Sequence, residues 1–143
     1  PFIAGVKEYN LAGFSARGEI TYSIVEEPQK AEFLDFEKKY LDFSRSAEVA
    51  EAEIGNSLVT QLQAAFKTLY SPLFEGALIR CDFFEIDGEI YLNEINPIPG
   101  SMANYLFEDF SGAIHKLLGS LPDKKAIRVQ YDYIHSISQA KGK

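Results

Sequence analysis

The stretch from Arg80 to Gly100 leaves this chain the fewest choices. It reads Arg-Cys-Asp-Phe-Phe-Glu-Ile-Asp-Gly-Glu-Ile-Tyr-Leu-Asn-Glu-Ile-Asn-Pro-Ile-Pro-Gly. Two runs rich in aromatic and β-branched residues flank Asp87-Gly88, a strong short-range signal for a hairpin. The predicted strands are Ala77–Glu85 and Glu89–Asn96. Side chains alternate faces along a strand, so Arg80, Asp82 and Phe84 share one side, as do Leu92, Glu94 and Asn96. Whether the two sets meet depends on the turn. A two-residue loop pairs Asp82 with Asn93 and sends Glu94 to the far side. A three-residue loop, Ile86-Asp87-Gly88, puts Gly88 at the left-handed position and sets Arg80 opposite Glu94. Asp82 then lies on the diagonal, roughly 7–8 Å away. The three-residue loop is the expectation. Two facing carboxylates repel unless a cation lies between them, and Asp, Glu and Asn offer the hard oxygens that suit magnesium. For Asp82 or Glu94 alone, a charge on the wet side of a hairpin is the better reading. The combined string is far more specific.

Elsewhere the chain alternates strands and helices. Ile3–Val25 reads as two strands around a Ser15–Gly18 loop, with Tyr9 and Leu11 in phase, β-branched character over Ile20–Val25, and Pro28 as the close. Leu58, Leu62, Ala65, Phe66 and Leu69 recur at helical spacing, capped by Asn56 or Ser57 and stopped by Pro72. A second helix is predicted from Ala103 to Leu118, ending at Gly119. After Lys124 a strand and then a short helix are expected. The order predicts an α+β fold, a sheet with helices packed on one face.

With 143 residues and 46 % hydrophobic composition, one domain with a sizeable core is expected. A net charge of −7 argues against nucleic acid as a partner but not against nucleotides, which a few local cations can hold. No apolar run is long enough to span a membrane. Cys81 is the sole cysteine, which excludes an internal disulfide and fits a reducing cytoplasm. The chain opens on Pro1 rather than Met, and a fragment is the expectation.

Asp82-Phe83-Phe84, Tyr-Leu-Asn-Glu-Ile-Asn from Tyr91 to Asn96, and Pro99-Gly100 together resemble the metal-binding signature of D-alanine–D-alanine ligases of the ATP-grasp superfamily. The likeness covers nearly the whole chain and weakens after Leu118. It implies a mostly antiparallel ATP-grasp C-terminal domain over residues 1–143, without the N-terminal domain and most of the central one. It implies two magnesium ions, for which manganese can substitute: Asp82 and Glu94 on one, Glu94 and Asn96 on the other. Arg80 would meet the developing phosphate or oxyanion, and the Gly100 N–H would help form an oxyanion hole. ATP would also touch Phe84, Asn93 and Glu94. The opening segment resembles the family's hinge and ribose segment, with Phe2 and Ile3 against adenine and Glu8 on the ribose hydroxyls. Read without the resemblance, Phe2 and Ile3 are ordinary core residues.

Leu34–Tyr40 resembles the family's mobile loop, which implies Lys39 on the ATP phosphates and Tyr40 facing substrate as a catalytic group. By periodicity alone, Phe33, Phe36, Tyr40 and Phe43 suit an amphipathic helix; the loop is the expectation. Many relatives carry Ser-Leu where this chain has Tyr105-Leu106, the pair expected to contact the second amino acid. His115 and His135 match no functional position. The resemblance implies ATP-dependent joining of two D-alanines through an acyl phosphate, for peptidoglycan synthesis, by a homodimeric parent enzyme. The alternatives are a D-lactate- or D-serine-using ligase, the lactate case being the one Tyr40 argues against, and a non-catalytic nucleotide-binding module.

Overall fold

The computed structural model describes residues 6–28 and 49–122. Expectations for Phe2, Ile3, Leu34–Tyr40 and the segment after Lys124 lie outside these residues. Strands β1 (Lys7–Ala16) and β2 (Glu19–Glu26) are followed by helix α1 (Asn56–Tyr70), strands β3 (Ile79–Ile86) and β4 (Glu89–Asn96), a short 3-10 segment (Gly100–Leu106) and helix α2 (Phe110–Leu118). The strands form one sheet in the order β2-β1-β3-β4, every neighbouring pair antiparallel. Two hairpins are thus joined along β1 and β3. Both close on two residues with positive φ: Arg17 and Gly18 at 55° and 84°, Asp87 and Gly88 at 55° and 83°. That backbone twist matches the strands it joins. The first loop is therefore shorter than Ser15–Gly18, because β1 runs on to Ala16.

Helices cover both faces of the sheet, not one as expected. Tyr9 and Leu11 of β1, with Ile79, Cys81 and Phe83 of β3, pack against Leu62, Phe66 and Tyr70 of α1. Ala12, Phe14 and Ala16 face the other way, against Ala103, Leu106, Ala113 and Leu117. The reason lies in β1, which is buried without a break from Tyr9 to Phe14 and so has no wet side. Gly13 lets α1 approach: a Cβ there would stand 2.9 Å from the Thr21 carbonyl oxygen and 3.0 Å from Phe66 Cζ. The buried Tyr70 hydroxyl accepts from the Ser15 N–H at 3.0 Å and donates to the Ala77 carbonyl at 2.9 Å, tying α1 to the sheet.

The helix caps also differ from expectation. Gly55 occupies the N-cap of α1 and makes no side-chain cap bond, while Asn56 and Ser57 lie inside the first turn. The predicted Ala103–Leu118 helix is split. Asp109 accepts a hydrogen bond from the Gly112 N–H at 2.8 Å and starts α2 there, the action of an N-cap. Before it, Ser101, Met102 and Ala103 have φ of 50°, 53° and 50°, all left-handed. Such a run costs about 1–2 kcal/mol per residue and holds Gly100 and Tyr105 on a sharply turned segment. Among the described residues no helix is long and apolar enough to cross a membrane.

Candidate active site

The β3–β4 hairpin settles how the carboxylates meet, by a route the three-residue loop did not anticipate. Its turn has two residues, with Ile86 paired to Glu89 and Phe83 to Leu92. A register shift between Asp82 and Phe83 then absorbs one extra residue of β4, Asn93, so Asp82 pairs with Glu94 and Arg80 with Asn96. A β-bulge does this by letting two residues oppose one. Asp82 lies directly across from Glu94 and not on its diagonal, and both share one face.

Three rows cross that face. In the first, Glu8 pairs with Phe84 and Phe84 with Tyr91. In the second, Glu26 pairs with Asn10, Asn10 with Asp82 and Asp82 with Glu94. In the third, Ala12 pairs with Arg80 and Arg80 with Asn96. Rows lie two residues, roughly 7 Å, apart along the strands.

The second and third rows are bonded together. Arg80 grips Asp82 with two N–H groups, Nε to Oδ1 at 2.6 Å and Nη2 to Oδ2 at 2.7 Å. This paired geometry is the strongest form of the contact. Arg80 Nη1 also donates to the Tyr105 hydroxyl at 3.0 Å. The hydrogen bonds to Asp82 raise the Arg80 pKa further, against partial burial that lowers it, so the guanidinium keeps its charge. Burial, together with Glu26, raises the Tyr105 pKa, while Arg80 opposes the rise; its hydroxyl keeps its proton. Asn96 Nδ2 donates to Asp82 Oδ2 at 3.1 Å and to Glu94 Oε1 at 3.0 Å. An amide nitrogen bridging two carboxylates marks the point where positive charge is wanted. Among the described residues no group of three or more His, Cys, Asp and Glu side chains gathers as a metal cage. Two carboxylates and an amide suit magnesium, which keeps waters and phosphate oxygens among its ligands.

The structure thus brings Glu8, Phe84, Arg80, Asp82, Glu94 and Asn96 to one surface, with Tyr105 over the guanidinium. Asn93 is the extra residue of the bulge, and Gly100 opens the left-handed segment. Leu106 is fully buried in the core beneath α2, so its side chain is not presented at this surface. Lys39, Tyr40, Phe2 and Ile3 fall outside the described residues. Sequence reasoning missed Asn10 and Glu26. Asn10 is only 6 % exposed, and its Nδ2 donates to Glu26 Oε2 at 2.9 Å. The available signal was an amide between the core residues Tyr9 and Leu11, a polar group that a buried strand does not otherwise want.

The family model described as D-ala D-ala ligase C-terminus matches residues 7–112. The chain belongs to this family. A D-alanine–D-alanine ligase of Sulfurimonas denitrificans is 66 % identical over 143 residues, covering 100 % of this chain and 41 % of the relative. One from Helicobacter hepaticus is 61 % identical, covering 99 % and 42 %. A crystal structure of D-alanine–D-alanine ligase from Helicobacter pylori shares 49 % identity and a TM-score of 0.71, covering 87 % of this chain and 34 % of that one. The chain therefore spans about two fifths of the length of these curated relatives. The antiparallel α+β ATP-grasp fold expected of the D-ala D-ala ligase C-terminus is the one found.

Proposed function

We propose that the protein containing this chain joins two D-alanines at the expense of ATP, and that this chain is its C-terminal catalytic domain, with the N-terminal and central domains outside it. One observation carries the reading: Asp82, Glu94, Asn96 and Arg80 converge on one face, next to the Glu8–Phe84 row. From Glu8 to Arg80 the rows follow the order of an extended nucleotide, sugar hydroxyls first and terminal phosphate last. A carboxylate suits a diol, an aromatic wall suits a base, and a guanidinium suits a phosphate.

Asp82, Glu94 and Asn96 would hold magnesium, which supplies charge neutralisation for the phosphates when bound. Arg80 stands one row further on, held rigid by Asp82. In the first step a D-alanine carboxylate oxygen attacks the γ-phosphorus and the bond to ADP breaks. Arg80 offsets charge on the transferring group. In the second step another D-alanine, its ammonium having lost one proton to solvent, attacks the acyl carbon through its amine, and the nitrogen gives up a second proton to the departing phosphate as the acyl C–O bond breaks. The same guanidinium and the Gly100 N–H face the oxyanion before inorganic phosphate leaves. Tyr105, with its proton retained, can donate to the incoming carboxylate. Lys39 and Tyr40 are assigned to phosphate and substrate on the strength of the loop motif. From the family resemblance we also infer a cytoplasmic, homodimeric parent.

The test is D-alanine-dependent phosphate release by the intact parent, repeated with Asp82→Asn and Glu94→Gln. Each should lower the rate by roughly 10²-fold or more, as expected for groups that meet charge in the transition state. Unchanged rates would remove the assignment.

A further inference from the structure

The acidic row has two ends. At the β4 end, Glu94 shares the Asn96 amide with Asp82, and Arg80 balances Asp82. At the β2 end stands Glu26, whose carboxylate is met by the neutral amide of Asn10 and, among the described residues, by no cation. Asn10 Oδ1 is buried and accepts no hydrogen bond there. Turning the amide over would not help, since it would set that oxygen against the Glu26 carboxylate. Among the described residues, Asn10 Oδ1 is therefore an acceptor without a donor, beside a carboxylate that has one neutral donor. A carboxylate left beside a triphosphate site is repelled by its surroundings unless positive charge comes to it.

Glu26 is also close enough to Tyr105 to raise the pKa of its hydroxyl. Tyr105 takes one hydrogen bond from Arg80 and is within electrostatic reach of Glu26. An amino acid at neutral pH is a zwitterion with the complementary pattern. Its carboxylate suits the Arg80–Tyr105 side, and its ammonium, with three N–H donors and one charge, suits Glu26.

We propose that Glu26 receives the ammonium group of the acceptor amino acid, and that Asn10 is the positioning residue that holds Glu26 for it. This rests on the ligase reading above and concerns only how the acceptor is held before it reacts. It also supplies a basis for preferring an amino acid over a 2-hydroxy acid, which has no ammonium to offer.

The experiment uses the intact parent, first assayed unaltered for D-alanine-dependent phosphate release; absence of release would defeat the ligase reading itself. With release established, Glu26→Gln should raise the KM for the second D-alanine by 10-fold or more. The KM for ATP should stay within 2-fold. In competition, product should shift toward the D-lactate adduct. Glu26→Asp, which keeps the charge, should recover most of the loss, and Asn10→Ala should give a smaller shift of the same kind. An unchanged acceptor KM in Glu26→Gln, or an equal rise in the KM for ATP, overturns the proposal. If Glu26→Gln does not fold, judged by circular dichroism, Asn10→Ala decides: a raised acceptor KM with the KM for ATP unchanged supports the proposal, and an unchanged acceptor KM overturns it.

Discussion

Arg80 and Asp82 stand two positions apart on one strand, and nearly everything the site can do passes through that pair. Asp82 is 3 % exposed, and its two oxygens serve the guanidinium and the Asn96 amide at once. Lysine at position 80 would keep a charge but lose the planar fork that grips Asp82 and still reaches Tyr105. Between them in sequence, Cys81 points to the opposite face, into the core under α1. Burial, and then the charge of Asp82, push its thiol up to about 12 from an ordinary 9.0. The protonated form is thus favoured by folding. That stability is complete below pH 9.0 and is lost as pH rises toward about 12, a loss on the order of a few kcal/mol. Urea unfolding across this range should show the fall, and Cys81→Ala should flatten it. At pH 8 a thiol reagent should label Cys81 only in denaturant; prompt labelling of the folded protein would contradict its burial.

At the scale of elements, packing is closest where α1 crosses β1. Gly13→Ala puts a methyl 2.9 Å from a backbone oxygen and 3.0 Å from Phe66. Chemical denaturation should register a loss of about 1–3 kcal/mol, the usual result of overfilling a packed site. Tyr70→Phe removes the hydroxyl shared by Ser15 and Ala77, with an expected loss of about 1–3 kcal/mol because a buried polar partner is stranded. The elements themselves were largely legible in the sequence. Asp87-Gly88 marked its hairpin, and the Leu58–Leu69 spacing marked α1, because both signals are local. Three features were not legible. The hairpin count fails at Asn93, since a bulge is decided by which faces must be filled and not by the turn alone. Apolar spacing predicts too long a second helix because Leu106 and Phe110 keep helical phase, while the Asp109 bond to Gly112 that separates them leaves no mark on that spacing. Asn10 and Glu26 were invisible as a pair, since residues 16 positions apart meet only through sheet register.

At the scale of the whole molecule, the chain carries the carboxylates, the guanidinium and the left-handed segment that Gly100 opens, but about two fifths of the length of its relatives. Expressed alone, it should bind nucleotide weakly and release no phosphate with D-alanine. Calorimetric titration with ATP and magnesium, beside a coupled phosphate assay, checks both halves of that expectation. Dipeptide made by the isolated chain would show that the rest of the parent is dispensable for the chemistry.

The order β2-β1-β3-β4 has one more consequence. Asn10 and Glu26 belong to the first hairpin, and Arg80, Asp82, Glu94 and Asn96 to the second. Each hairpin can zip from its own turn, yet neither owns the whole of the candidate site; that surface exists only once the seam between them is shut. Anything that bridges the seam acts as a clasp, and its binding energy is added to the docking of the two halves.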